Sequence, residues 1–78
     1  MTRENFKKGM LILREAFPDR FAEMDKTSMQ IWFQILNDIP DQDWENAVLF
    51  ICRNHEKPPV PATIRQIVKM SVHVLSAE

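Results

Sequence analysis

The chain has one cysteine, one glycine and no tyrosine among its 78 residues. The single Cys52 excludes an internal disulfide and a cysteine-based zinc site, and an unpaired thiol is typical of a reducing compartment. Ten basic and eleven acidic residues give a net charge of −1, which excludes nucleic-acid binding driven by bulk positive charge alone. The longest apolar run, residues 47–52, is far too short to cross a bilayer, and no signal-peptide pattern precedes it. We therefore expect a cytoplasmic protein without membrane association.

The composition that remains is ordinary for a soluble globular protein. Hydrophobic residues make up 45% of the chain and charged residues 27%. A length of 78 residues corresponds to one domain, so we expect residues 1–78 to form a single helical domain. A chain this short buries only about 60–65% of its unfolded surface, and its core is correspondingly small.

Apolar residues recur at helical spacing in four segments that prolines separate, and no alternating pattern long enough for a sheet is present. The fold class is therefore predicted to be all-α, a small compact bundle of about four helices. The first helix runs from about Arg3 to Phe17. Gly9 lies inside its pattern, where glycine costs roughly 1 kcal/mol relative to alanine, so we expect close backbone packing or a weak first turn there.

The second segment, from about Thr27 to Leu36, is apolar over much of its circumference because Ile31 and Ile35 widen its main stripe. A helix of this kind is predicted to be the central one. A loop from Pro18 precedes it, with Phe21 and Met24 folded back onto the core. The residues expected to be largely buried are Trp32, Phe33, Leu36, Val48, Ile51, Ile64 and Ile67.

Helix starts are marked by capping residues. Thr27 and Thr63 are each followed three residues later by glutamine, the spacing of a capping box. Asp25 is a rival cap for the second helix, and Asp41 is the expected cap of the third. Three prolines within residues 58–61 predict a stiff extended connector before the fourth helix.

Residues with catalytic or ligand-binding chemistry are scarce. His55 and His73 lack partners at metal-ligand spacing, and the acids of residues 38–45 lack the glycine and glutamate that a calcium loop needs. No phosphate loop or nucleophile motif is present. We therefore expect no enzyme activity, no cofactor and no metal. A helix-turn-helix interpretation would place Asp43 and Glu45 against DNA phosphates, so no direct sequence-specific DNA binding is expected.

Charge is distributed unevenly along the chain. Residues 38–46 carry four acids and no base, whereas residues 53–73 carry four lysines or arginines and one glutamate. Such a strip is either a solvated face or a surface that docks on an acidic protein surface or on phosphates. The first helix adds Arg3, Lys7, Lys8 and Arg14. The candidate protein-binding residues are Arg53, Lys57, Arg65 and Lys69.

Several of these features recur together in one family. They are Trp32, Leu36 and Asp38 in the second helix, Ala47 and Val48 in the third, the connector Pro58-Pro59-Val60-Pro61, and the restart Thr63-Ile64 with Ile67. With them, the chain resembles the N-terminal domain of phage replicative-helicase loader/inhibitor proteins. The resemblance covers roughly residues 27–69. The matching residues are mostly apolar and spaced as core, so the resemblance supports fold more than site.

The resemblance implies a small all-α, non-enzymatic module of a phage or prophage replication cassette. Proteins of this family bind a hexameric replicative helicase, restrain its ATPase and regulate its loading. They also carry a flexible C-terminal extension, and the helicase contact is largely attributed to it. The present sequence ends at Glu78. The alternative is a stand-alone phage or prophage protein that antagonises a host complex through the same scaffold. The sequence leaves the oligomeric state open.

Overall fold

Helices form where the four apolar patterns predict them. The computed structural model describes the backbone of residues 1–77 and the side chains of residues 1–70. Residues 1–77 form four long helices: α1 (Arg3–Ala16), α3 (Lys26–Leu36), α4 (Asp41–Asn54) and α5 (Pro61–Ala77). A single-turn helix, α2 (Pro18–Phe21), occupies part of the expected loop. Residues 1–77 contain no strand, so the all-α prediction is confirmed.

The caps of α1 and α3 are short polar side chains that accept a backbone N–H of the first turn. Thr2 accepts a bond from the Asn5 amide at the start of α1, and Asp25 accepts one of 2.8 Å from the Ser28 amide at the start of α3. The capping box expected at Thr27 is therefore wrong, because the helix begins two residues earlier than that cap requires and the rival Asp25 holds the cap position.

The caps expected at Thr63 and Asp41 are also wrong. Helix α5 begins at Pro61, whose fixed φ suits the first helical position, and the Val60 carbonyl accepts the Thr63 and Ile64 amides. Thr63 thus lies inside the first turn. Helix α4 follows Pro40 without a side-chain cap, and Asp41 instead accepts the Thr2 amide at 2.9 Å, which ties it to the start of α1.

The tightest packing lies between α1 and α4, where a glycine faces a tryptophan. The Trp44 side chain is only 1% exposed, and a Cβ added to Gly9 would lie 2.3 Å from its Nε1. The Trp44 ring stacks on Phe6 at a centroid distance of 5.5 Å, and its Nε1–H donates to the Asn5 carbonyl at 2.9 Å. The close packing expected at Gly9 is confirmed, and a larger residue there would displace the indole.

The central helix is α4, so the expectation that α3 is central is wrong. Helix α4 packs against both α1 and α5, whereas α3 buries only Trp32 and Leu36. Its Ile31 and Ile35 are 50% and 42% exposed. Helix α3 has apolar residues on more of its surface than the other helices cover. Its composition therefore wrongly indicates a central helix.

The core agrees with the expected set apart from one member. The residues confirmed as buried are Trp32, Leu36, Val48, Ile51, Ile64 and Ile67, whereas Phe33 is half-buried. Phe21 is buried and Met24 packs against the same cluster, as expected. The side chains of Ser71, His73 and Leu75 lie outside the described residues.

Candidate protein-binding surfaces

The four cations that the sequence singles out lie on the last turn of α4, on the connector and on α5. All four, Arg53, Lys57, Arg65 and Lys69, are exposed. Arg65 and Lys69 are one helical turn apart on α5 and therefore project from the same side of that helix.

Arg65 is already engaged within the chain. Its guanidinium forms a two-pronged ion pair with Asp38, with N–O distances of 2.6 and 3.0 Å, and Nη1 also donates to the Ile35 carbonyl at 2.9 Å. The hydrogen bonds from Arg65 lower the pKa of Asp38 below its usual value, and the same bonds raise the pKa of Arg65. We call these two residues the α3–α5 clasp. Because the clasp holds the end of α3 on α5, Arg65 has an internal role that Lys69 lacks.

Cys52 and His55, two further side chains with possible chemistry, are explained by their contacts within the fold. Cys52 is half-buried, and burial raises the pKa of its thiol, which disfavours the nucleophilic thiolate. His55 ends α4 by donating its backbone N–H to the Ile51 carbonyl, and its ring meets the ring of Phe50 edge to face. In the described part of the chain, no group of three or more histidine, cysteine or acidic side chains is placed to hold a metal ion.

A groove that the sequence did not single out runs along α1. Its first half, about 230 Å³ in volume, lies between the start of α1 and α3, and its second half, about 290 Å³, lies between the middle of α1 and the α2–α3 region. Lys7 and Met29 line both halves, so the two adjoin at these residues. We call this the α1 groove. Its other lining residues are Arg3, Phe6, Gln30, Phe33 and Gln34 in the first half, and Met10, Leu11, Arg14, Phe21 and Met24 in the second.

The α1 groove has an apolar floor and a basic rim. Phe6 lies edge-on to Phe33 at 5.2 Å between ring centroids, and the Arg3 guanidinium lies 5.5 Å from the Phe33 ring centre. The rim cations Arg3, Lys7 and Arg14 all lie in one sequence segment. The floor, by contrast, is formed by residues from α1, α2 and α3. Sequence periodicity predicts which residues face inward, and it does not show where two helices leave a gap between them.

No helix in the described residues has both the length and the apolar character that a membrane crossing requires. Comparison with known families gives a match. The model of the N-terminal domain of a phage helicase loader/inhibitor matches residues 1–65, from the start of the chain to the first turn of α5.

No curated protein and no solved structure matches the chain. Domains of the matching family are generally non-catalytic, and the family suggests an interaction with a helicase. Its match includes α1, which the resemblance seen in the sequence did not cover. Since the match spans well over half of the 78 residues, the chain belongs to the N-terminal domain family of phage helicase loader/inhibitor proteins.

Proposed function

We propose that the protein is a non-enzymatic adaptor that binds a replicative helicase and regulates its loading during phage DNA replication. The observation that carries the proposal is the family match over residues 1–65, which includes α1 to α4 entirely. In this proposal residues 1–78 act as one domain in the host cytoplasm. The partner is a hexameric helicase, and no cofactor and no direct sequence-specific DNA contact are involved.

The proposed helicase contact is the basic surface of Arg53, Lys57, Arg65 and Lys69. Exposed charges of one sign mainly speed association and select the partner. Three of these cations are exposed and make no ion pair in the described residues, so they are available to an acidic surface. Arg65 contributes charge at the edge of the surface while it holds Asp38.

The test is a binding and ATPase assay with the replicative helicase encoded nearest to the gene of this chain. The full chain should co-elute with the helicase hexamer in size-exclusion chromatography and should slow its ATP hydrolysis, while the chain alone hydrolyses no ATP. Absence of both co-elution and inhibition contradicts the proposal and favours an antagonist of a host complex.

Charge reversal locates the contact. The triple variant Arg53→Glu, Lys57→Glu and Lys69→Glu leaves the α3–α5 clasp intact and should weaken helicase binding, with the larger loss at low salt. The matched control is Lys8→Glu, Arg20→Glu and Lys26→Glu, which removes three exposed cations from other positions. Equal losses in the two triples would show that only net charge matters and that this surface is not the contact.

A further inference from the structure

Within residues 1–70, the basic rim of the α1 groove forms no salt bridge with an acidic side chain. Among the side chains of residues 1–70, the one salt bridge joins Asp38 to Arg65, so Arg3, Lys7 and Arg14 are exposed cations without a carboxylate within 4.0 Å. No aspartate or glutamate lines either half of the groove. Arg3 and Lys7 are four residues apart on one helix face, where like charges destabilise the helix. An anionic partner would relieve this repulsion.

The floor of the groove is built from aromatic and thioether side chains. Phe6 and Met10 are buried, while Met24, Met29 and Phe33 are half-buried and therefore keep surface open to the groove. Methionine is flexible and polarisable, so it adapts to apolar groups of different shape. Such a floor accepts apolar side chains of a ligand, whereas the rim accepts carboxylates.

We propose that the α1 groove binds an acidic amphipathic helix of a partner protein. The helix would place apolar side chains at i, i+3 or i+4 and i+7 on the floor, the pattern of helix-in-groove recognition, and glutamates or aspartates beside the rim. From Arg3 to Arg14 the rim spans twelve residues of α1, which is eleven steps of 1.5 Å or about 16 Å. Three turns of a ligand helix match that length. The inference does not depend on the helicase being the partner.

Nucleic acid fits the groove less well than a peptide does. Binding of single strands uses aromatic rings with a free face on which bases stack. Here the Phe33 ring has Arg3 over it and Phe6 against it, and Phe6 and Phe21 are 3% and 4% exposed. The rim therefore offers charge to phosphates, but the groove offers a base only the partly covered ring of Phe33.

The probe is a library of about 14-residue helical peptides with varied apolar residues at i, i+3, i+4 and i+7 and glutamates on both flanks. A matched library carries lysines in place of the glutamates, and a thymidine oligonucleotide of about twelve residues tests for nucleic acid. The full chain should select peptides from the acidic library alone. Recovery of no acidic binder, or of lysine peptides equally well, contradicts the proposal.

The five methionines of the chain report where the selected peptide binds. With ¹³C-methyl labels on methionine, the signals of Met10, Met24 and Met29 should shift on titration. Met70, exposed on α5 and outside the groove, should not. Shifts at Met70 without shifts at the groove methionines would place the peptide elsewhere and overturn the inference, as would stronger groove shifts with the oligonucleotide.

A pair of charge variants completes the test. Lys7→Glu with Arg14→Glu should weaken the selected peptide by about tenfold, equivalent to about 1.4 kcal/mol. The control, Lys8→Glu with Lys26→Glu, makes the same change in net charge, but both residues lie outside the groove lining. It should change the affinity by less than about twofold. All four residues are exposed, so both variants should fold. Equal losses in the two pairs would overturn the proposal.

Discussion

The bundle has a tightly packed half and a loosely packed half. Between α1 and α4, Trp44 fills the space that Gly9 leaves, and Leu13 and Val48 are fully buried. Helix α3, by contrast, buries two side chains and leaves two isoleucines exposed, and an ion pair on the surface helps to hold its end. Both halves carry apolar helices, so apolar content does not distinguish them. What distinguishes them is whether a small residue on one helix lets a large one from its neighbour approach.

The largest expected effect separates the two tryptophans. Trp44→Ala should reduce the free energy of unfolding by roughly 3–5 kcal/mol, the range for a buried aromatic residue, and it also leaves the Asn5 carbonyl without its indole donor. Trp32 is 8% exposed, so Trp32→Ala should cost less. Equilibrium urea unfolding measures both. If Trp44→Ala does not fold, Trp44→Phe against Trp32→Phe gives the same ranking, and the opposite ranking would make α3 the better-packed helix.

Gly9→Ala should have the next largest effect on the free energy of unfolding. Alanine gains about 1 kcal/mol of helix propensity, but its Cβ would lie 2.3 Å from Trp44 Nε1, and overpacking of this kind costs roughly 1–3 kcal/mol. We therefore expect net destabilisation in the wild-type background. In a Trp44→Leu background the same substitution should become neutral or stabilising, because the clash is gone. A double-mutant cycle by urea unfolding measures the coupling, and additive effects would contradict the close fit.

The α3–α5 clasp should give a smaller, pH-dependent effect. Asp38, Asp25 and Asp41 have a pKa below the ordinary 3.8 because of hydrogen bonds from Arg65, the Ser28 amide and the Thr2 amide respectively. A carboxyl with a lowered pKa in the folded state stabilises the fold above its unfolded pKa, and that stabilisation is lost as the pH falls through the lower folded value.

Asp38→Asn should therefore lower the melting temperature near pH 6, and the difference from the wild type should shrink as the pH falls through the lowered pKa of Asp38. Thermal melts of the wild type and the variant across this range measure the difference. Glu45→Gln, another exposed acid without a salt bridge in residues 1–70, is the control. A difference that persists unchanged at low pH would mean that Asp38 acts through its shape rather than its charge.

The smallest expected effect lies on the outer face of α3. Ile31→Ser should change the free energy of unfolding by no more than about 0.5 kcal/mol, because half of the Ile31 side chain already meets solvent. Leu36→Ala on the inner face of the same helix should cost about 2–5 kcal/mol. Urea unfolding of the two variants defines how far the core reaches into α3. A large loss for Ile31→Ser would show that α3 is packed on both faces.

Local periodicity predicted the helices because each long segment repeats its apolar residues at helical spacing between prolines. Most of the core follows from the same stripes, with Phe33 only half-buried because it borders the α1 groove. Cap positions were predicted less well. Thr63 satisfies the capping-box spacing, but Pro61 already fits the first helical position, and Asp41 bonds to Thr2 from 39 residues away. A partner so distant in sequence leaves no local signal.

The candidate sites also depend on contacts between residues that are distant in sequence. The sequence grouped Arg65 with Lys69 by charge, whereas the fold pairs Arg65 with Asp38 from another helix. The α1 groove depends on the space between α1 and α3, which no single segment encodes. Composition nevertheless indicated the relevant chemistry, since the rim cations of α1 are visible in the sequence as an excess of positive charge.

The contacts between α1 and α4 join residues that the ribosome makes at different times. Thr2 and Asn5 bond to Asp41 and Trp44, and each pair is separated by 39 residues. A ribosome adding about 5–20 residues per second makes the second partner roughly 2–8 s after the first. During that interval Phe6, Met10 and Leu13 have no α4 to pack against. We therefore expect the nascent N-terminal segment to expose these apolar side chains to chaperones, and to aggregation, until the third long helix emerges.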